Sequence, residues 1–110
     1  MEIEKILKVL SDKNRLRILN MLEKKNLCVC EITEILGIKQ PSVSRHLKKL
    51  KMAGIIMEKK NGFFTEYFPV KNGIWFELWK KIKQQLQQEK IIKEDEKKLK
   101  KVDRYKIKGK

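Results

Sequence analysis

Histidine and cysteine, on which most metal sites and many catalytic sites depend, are nearly absent from this sequence. The 110 residues include one histidine, His46, and two cysteines, Cys28 and Cys30. There is also no glycine-rich phosphate loop and no Cys-x-x-Cys motif. A histidine-rich metal centre is therefore excluded, and we do not expect an enzyme.

Long apolar segments are lacking as well. No segment approaches the roughly 18 consecutive apolar residues of a membrane span. Residues 1–10 alternate charged and aliphatic side chains, unlike a secretory signal. The sequence therefore predicts a cytoplasmic protein without membrane contact. In that compartment Cys28 and Cys30 are expected to be free thiols or metal ligands rather than a disulfide.

Acidic residues are few beside the basic ones. Lys and Arg total 28 against 14 Asp and Glu, which gives a formal net charge of +14 and a pI near 9.9. Such a charge is typical of a nucleic-acid-binding protein, because phosphate contacts release counterions. A lysine-rich composition without a nucleic-acid partner would give the same number. The length favours one domain, which at this size often gains stability by dimerising.

The apolar spacing predicts four helices before residue 54. Asp12 is a candidate cap for the second helix, Gly37 a stop for the third, and Pro41 lies in the first turn of the fourth. The third and fourth helices have the spacing of a helix-turn-helix. The pair Asn61-Gly62 then lies between two β-prone segments and predicts a hairpin that turns at these residues. The expected fold class is mainly α with a small β-hairpin, a dimeric winged helix-turn-helix.

A further helix is predicted from about Gly73, with a wide apolar stripe along it. We expect this stripe and the first helix to form a homodimer interface. Packing onto the same domain is the alternative. The composition shifts after residue 86. This predicts a winged-helix and dimerisation domain over residues 1–86 and a basic helical extension or mobile tail over residues 87–110.

The fourth helix is the predicted recognition helix, because its outward face carries residues that can contact DNA. Gln pairs with adenine, Arg with guanine and Ser with several base edges, whereas Lys suits phosphates. The N-terminal part of such a helix reaches the bases. The candidate DNA-binding residues on this helix are Gln40, Ser42, Ser44, Arg45, His46, Lys48 and Lys49, joined by Lys59 and Lys60 at the base of the hairpin. For His46, a half-buried, hydrogen-bonded ring and a phosphate contact remain equally open.

Four segments resemble the ArsR/SmtB family of arsenical-resistance repressors. They are residues 11–22 (SDKNRLRILNML), 27–32 (LCVCEI), 40–47 (QPSVSRHL) and 62–68 (GFFTEYF), and the resemblance extends over roughly residues 3–85. It implies a homodimeric winged helix that represses transcription from a palindromic operator in double-stranded DNA until an inducer binds. No constitutive cofactor is implied.

The resemblance also implies roles for individual residues. Gln40, Ser44 and Arg45 would contact bases. Cys28 and Cys30 would bind As(III) or Sb(III), soft ions that favour thiolate ligands.

The sequence departs from the family pattern near these positions. Thr33 stands where the arsenite sensors often have a third cysteine, and no N-terminal cysteines are present. The last helices lack the histidine that zinc and nickel sensors use there. Lys39 replaces a serine that commonly caps the recognition helix.

The spacing of the two cysteines restricts how they could bind one ion. Residues i and i+2 lie about 200° apart around a helix but on one face of an extended segment. A shared site therefore requires the first turn of the third helix to be non-helical or to unwind, and unwinding would provide a switch. A small thiol or hydroxide would complete the ligand set. Two alternatives remain: a redox-responsive regulator, although this spacing strains a disulfide, and a ligand-independent DNA-binding protein with structural cysteines.

Overall fold

The computed structural model describes residues 1–107, which form six helices and one two-stranded antiparallel sheet. The elements are α1 (Glu2–Leu10), α2 (Lys13–Lys24), α3 (Val29–Leu36), α4 (Gln40–Met52), β1 (Ile56–Asn61), β2 (Phe64–Pro69), α5 (Gly73–Leu86) and α6 (Lys90–Lys101). Helices α3 and α4 form a helix-turn-helix, and β1 and β2 form the wing. The expected winged-helix fold class is confirmed. Within residues 1–107, no helix combines the length and apolar character needed to cross a membrane.

Local sequence sets the helix ends around the helix-turn-helix. The Asp12 side chain accepts a hydrogen bond from the Arg15 backbone N–H at 3.0 Å and caps α2. Gly37 ends α3 in the left-handed conformation, with φ of 71°. Pro41 occupies the first turn of α4, where its missing N–H costs nothing. The residues that set where α4 begins can therefore be read in the sequence.

The core lies where α2, α3, α4 and the start of β1 meet. Ile18, Ile32, Val43, Leu50 and Ile55, which come from these elements and the link into β1, are each 0% exposed. Burying one such aliphatic side chain contributes roughly 1.5–3 kcal/mol relative to leaving it in water. The buried face of α4 is thereby fixed, and its opposite face is left to solvent.

Helix α5 buries part of its apolar stripe against its own domain. The Trp75 Nε1 donates to the Val70 carbonyl at 2.8 Å, and the Trp79 Nε1 donates to Glu23 at 2.9 Å. Both indoles are buried, so for them the same-domain alternative is the observed arrangement. Ile74 on α5 and Leu7 on α1 each remain 52% exposed.

The turn of the wing differs from the predicted one by one residue. Asn61 pairs with Phe64 as the last pair of the ladder, so Gly62 and Phe63 form the two-residue loop. Gly62 adopts φ of 65°, which suits a glycine in the first loop position. The Asn61 side chain, in turn, donates to Glu66 at 3.0 Å across the hairpin. The predicted turn at Asn61-Gly62 is therefore wrong, because Asn61 is held in the strand.

The chain beyond residue 86 packs against the winged helix. Helix α6 lies on α2 and α3, and its Asp95 is 0% exposed. Both oxygens of this carboxylate accept from the Arg17 guanidinium at 2.9 Å. The Asn20 side chain adds a bond to Glu96 at 3.2 Å. Residues 90–101 are thus helical and anchored, whereas the last part of the expected tail, residues 108–110, lies outside the described residues.

Replacing Asp95 with Asn should destabilise the fold strongly. The Arg17 guanidinium would stay buried without a counter-charge, and breaking such a pair costs roughly 3–5 kcal/mol. Urea unfolding followed by circular dichroism measures the change. The matched control is Glu94→Gln, which removes the same charge from an exposed neighbour on α6. Equal unfolding free energies for the two variants would contradict the assigned role of the buried pair.

Candidate nucleic-acid interface and thiol site

The exposed face of α4 carries most of the predicted DNA-binding residues. Gln40, Ser44, Arg45, Lys48 and Lys49 are exposed, opposite the buried Val43, Leu47 and Leu50. Ser42 is half-buried, and its hydroxyl accepts from the Arg45 Nη2 at 3.1 Å. The first two turns of α4 therefore present amide, hydroxyl and guanidinium groups side by side on a helix that the core holds in place.

His46 has its ring nitrogen engaged inside the protein. Its Nδ1 lies 3.1 Å from the Arg15 Nη1. Because a guanidinium can only donate, the imidazole accepts there and carries its proton on Nε2. Burial lowers the pKa of His46, the cations Arg15, Lys49 and Arg45 act in the same direction, and Asp12 opposes them. The ring is thus half-buried and hydrogen-bonded, one of the two arrangements left open above.

Arg15 joins three elements, a role that the sequence analysis missed. Besides His46 on α4, its Nε donates to the Val9 carbonyl near the end of α1 at 2.6 Å. The Arg15 Nη1 also lies 3.8 Å from the Oδ2 of Asp12, the cap of its own helix. Arg15 therefore ties α1 and α2 to the middle of α4. The one signal that the sequence offers for it is an arginine placed one turn after a helix cap.

The two wing lysines lie close to the turn rather than at the base of the hairpin. The register pairs Lys59 with Glu66 and Lys60 with Thr65, and the Lys60–Thr65 pair is one before the last pair of the ladder. Both side chains are exposed, and the Lys59 Nζ lies 5.5 Å from the centre of the Phe68 ring. At the turn, Phe63 is fully exposed. The hairpin end is therefore basic with one apolar side chain at its tip.

The two cysteine sulfurs meet at the beginning of α3. Cys28 is the N-cap and has an extended backbone, with φ of −91° and ψ of 168°, whereas Cys30 lies within the first turn. Their Sγ atoms are 2.6 Å apart, and both residues are free thiols that are at most 4% exposed. Of the two expected possibilities, the non-helical one holds at Cys28. The sulfurs meet although α3 is regular from Val29, so no unwinding of the helix is needed to bring them together.

Burial governs the chemistry of this pair. Desolvation raises the pKa of Cys28 from 9.0 to about 12, with the hydrogen bond to Cys30 acting in the same direction. The thiolate is the nucleophile and the metal ligand, so a proton must leave when an ion binds. Cys28 is therefore held as a neutral thiol in the folded protein.

Further ligands beside the two thiols are few. Among residues 1–107, no group of three or more His, Cys, Asp or Glu side chains is placed to hold a metal ion. Thr33 lies one turn after Cys30, on the same side of α3. In the same described part of the chain, its Oγ1 is a buried side-chain oxygen without a hydrogen-bond partner. The protein thus offers two sulfurs and one unengaged hydroxyl on this side of the helix.

A carboxylate next to the thiols connects them to the C-terminal segment. Glu31, 1% exposed, accepts from the Cys28 backbone N–H at 2.9 Å and from the Arg104 Nη2 at 2.9 Å. The Arg104 Nη1 lies 2.9 Å from Glu66 on the wing, and the guanidinium lies 5.0 Å from the centre of the Phe64 ring. The hydrogen bond from Asn61 lowers the pKa of Glu66, and the bond and charge of Arg104 add to this. The contacts of Arg104 could not be read from the sequence, because they join residues more than 30 positions apart.

Comparison with known proteins identifies related regulators. Residues 12–58 match the family described as "Bacterial regulatory protein, arsR family". The arsenic resistance transcriptional regulator ArsR1 of Pseudomonas putida is 40% identical over 63 residues, which are 56% of this chain and 49% of that protein. The chain thus spans about half the length of this relative. An uncharacterised HTH-type transcriptional regulator of Methanocaldococcus jannaschii is 42% identical over 66 residues, which are 59% of this chain and 74% of that protein.

A solved structure agrees with the fold. It is the homodimeric winged helix-turn-helix DNA-binding domain of Mb0332 from Mycobacterium bovis, with a TM-score of 0.68 and 21% identity. The match covers 78% of this chain and 79% of that one. The named relatives are transcriptional regulators rather than enzymes.

The raised pKa of Cys28 predicts a measurable pH dependence of stability. In the unfolded chain the thiol titrates near 9.0 and in the folded protein near 12. The folded state therefore holds this proton more tightly, and the stabilisation is complete below about pH 9 and is lost as the pH rises towards 12. Urea unfolding at a series of alkaline pH values should show a steeper loss for wild type than for Cys28→Ser. Serine is a good N-cap, so the variant keeps the helix start. Parallel curves would contradict the prediction.

Proposed function

Since the chain belongs to the arsR family of bacterial regulatory proteins, we propose that it is a cytoplasmic transcriptional repressor that binds a palindromic operator in double-stranded DNA. The observation that carries the proposal is the exposed face of α4, where Gln40, Ser44 and Arg45 lie on a helix fixed by the core. Side chains of these types can contact base edges in the major groove. The net charge of +14 supports phosphate binding around that contact.

The remaining parts of the DNA surface follow from the same geometry. Lys48 and Lys49 continue along α4 and suit phosphates, and Ser42 orients Arg45. The wing adds Lys59 and Lys60 near its turn, at a position suited to a neighbouring groove or backbone. His46 contributes by positioning α4 through Arg15, with its Nε2 proton left for a phosphate contact.

A homodimer is the proposed assembly, formed through α1 and α5. Leu7 and Ile74 leave apolar surface exposed on these two helices. The structural relative from Mycobacterium bovis is described as homodimeric. A two-fold symmetric dimer would present two α4 helices to the two halves of a palindromic operator.

Arg45→Ala should weaken operator binding. Losing a contact between an arginine and a guanine costs about 1–3 kcal/mol and relaxes specificity at one base position. Fluorescence anisotropy with a duplex from the region upstream of the protein's own gene, at constant salt, measures the loss. Lys93→Ala, an exposed cation on α6, is the control and should bind nearly as wild type. A loss of equal size on an unrelated duplex would reduce Arg45 to a phosphate contact.

We further propose that Cys28 and Cys30 sense As(III) or Sb(III). The support is the convergence of two buried sulfurs at the start of the helix-turn-helix, in a chain whose relatives include an arsenic resistance regulator. Soft ions of this kind favour thiolate ligands. A small exogenous thiol or a hydroxide would complete the ligand set, and the unengaged Thr33 hydroxyl is suited to hydrogen-bond it. Binding of both sulfurs would release both thiol protons, which leave as water with two hydroxides displaced from the ion. It would also separate the two sulfurs, which would disturb the N-cap of α3.

The sensing proposal is tested by operator release. Arsenite or antimonite should lower the DNA affinity of the reduced wild type and leave the double variant Cys28→Ser/Cys30→Ser unchanged, because the thiolate ligands are gone. The measurement is the same anisotropy titration with and without each ion.

Two other results would separate the parts of the proposal. If wild type binds the operator and neither ion releases it, the repressor proposal is upheld and the cysteines are structural. If hydrogen peroxide then causes release, the cysteines are redox groups. Equal release of wild type and double variant would place the ion site elsewhere.

A further inference from the structure

The C-terminal segment after α6 reaches two parts of the molecule that the proposed function uses separately. Arg104 is part of this segment, and its side chain is only 11% exposed. It contacts Glu31 at the beginning of α3 and Glu66 in β2, each at 2.9 Å. These two carboxylates are themselves buried. One guanidinium therefore pairs with both carboxylates, and neither carboxylate can lose it without leaving a buried charge unpaired.

Each carboxylate also accepts a hydrogen bond from a functional element. Glu31 accepts the backbone N–H of Cys28, so its position defines the N-cap that carries the first thiol. Glu66 accepts from Asn61, the last paired residue before the turn of the wing. A continuous series of hydrogen bonds and ion pairs thus runs from the Cys28 backbone N–H, through Glu31, Arg104 and Glu66, to Asn61 at the end of the hairpin.

We propose that Arg104 is a positioning residue that couples the thiol pair to the wing. The proposal rests on the proposed function, in which the thiols sense an ion and the wing contacts DNA. With the bridge formed by Glu31, Arg104 and Glu66 intact, a wing fixed on DNA holds Glu31 on the Cys28 amide and keeps the thiols enclosed. A disturbed N-cap moves Glu31, weakens the hold of Arg104 on Glu66 and frees the wing.

Coupling between two binding events is reciprocal, which gives a test that needs no inducing ion. The measured quantity is the rate at which dithiobis(nitrobenzoate) modifies the thiols of the full chain, with and without saturating upstream duplex. Wild type should react more slowly on DNA by roughly fivefold or more. Arg104→Met should remove most of this difference, because both ends of the bridge are lost.

A second variant separates coupling from stability. Glu66→Gln breaks the charge pair at the wing and leaves Arg104 on Glu31, so the surroundings of the thiols stay unchanged. The ratio of the thiol modification rates without and with duplex should nevertheless fall below about twofold. Lys106→Gln is the matched control. It removes one positive charge from an exposed position in the same segment and should retain the wild-type difference. Melting temperatures identify any variant that does not fold, and Glu66→Gln then carries the test.

The other outcomes overturn the coupling. Protection by DNA that persists in Arg104→Met and Glu66→Gln excludes the bridge as its route. Wild-type thiols that react equally with and without bound duplex exclude coupling altogether, while the binding seen in the same titration upholds the repressor. A chain that binds no duplex overturns the proposed function and the coupling with it.

Discussion

The Glu31 carboxylate is the interaction on which the functional half of this structure depends. It lies at the third position of α3, accepts the Cys28 N–H and holds Arg104, all within 2.9 Å. A buried carboxylate without such partners would be costly, so the three groups stabilise one another. The cap fixes the extended backbone of Cys28, and that backbone brings its sulfur to Cys30. Helix start, thiol geometry and C-terminal contact therefore share one anchoring group.

A second buried ion pair does comparable work for the scaffold. Arg17 and Asp95 join α2 to α6, and Arg15 joins α1 and α2 to His46 on α4. Arg15 and Arg17 are both buried residues of α2, and each contacts different partners. The recognition helix is consequently oriented by polar contacts as well as by the aliphatic core. This matters for DNA binding, since a contact to a base edge tolerates little tilt of the helix.

Much of the fold was predictable because its determinants are local. Apolar spacing, the Asp12 cap, the Gly37 stop and Pro41 all act within one or two helical turns, and the structure follows them. The hairpin was predicted at the right place but turned one residue too early. Asn-Gly is a strong local signal for a turn, yet Asn61 hydrogen-bonds to Glu66 and is retained in the strand. A tertiary contact outweighed the local preference.

The sequence by itself determined the order of the elements, the basic surface and the polar face of α4, since periodicity and composition are properties of neighbouring residues. It also identified the two cysteines, but left open whether their sulfurs could meet. Only the tertiary structure decided that Cys28 lies outside the helix, that α6 is anchored through Asp95, and that Arg104 joins Glu31 to Glu66. The physical reason is distance along the chain. Buried charges take partners from remote segments, and no local pattern records which partner comes within reach.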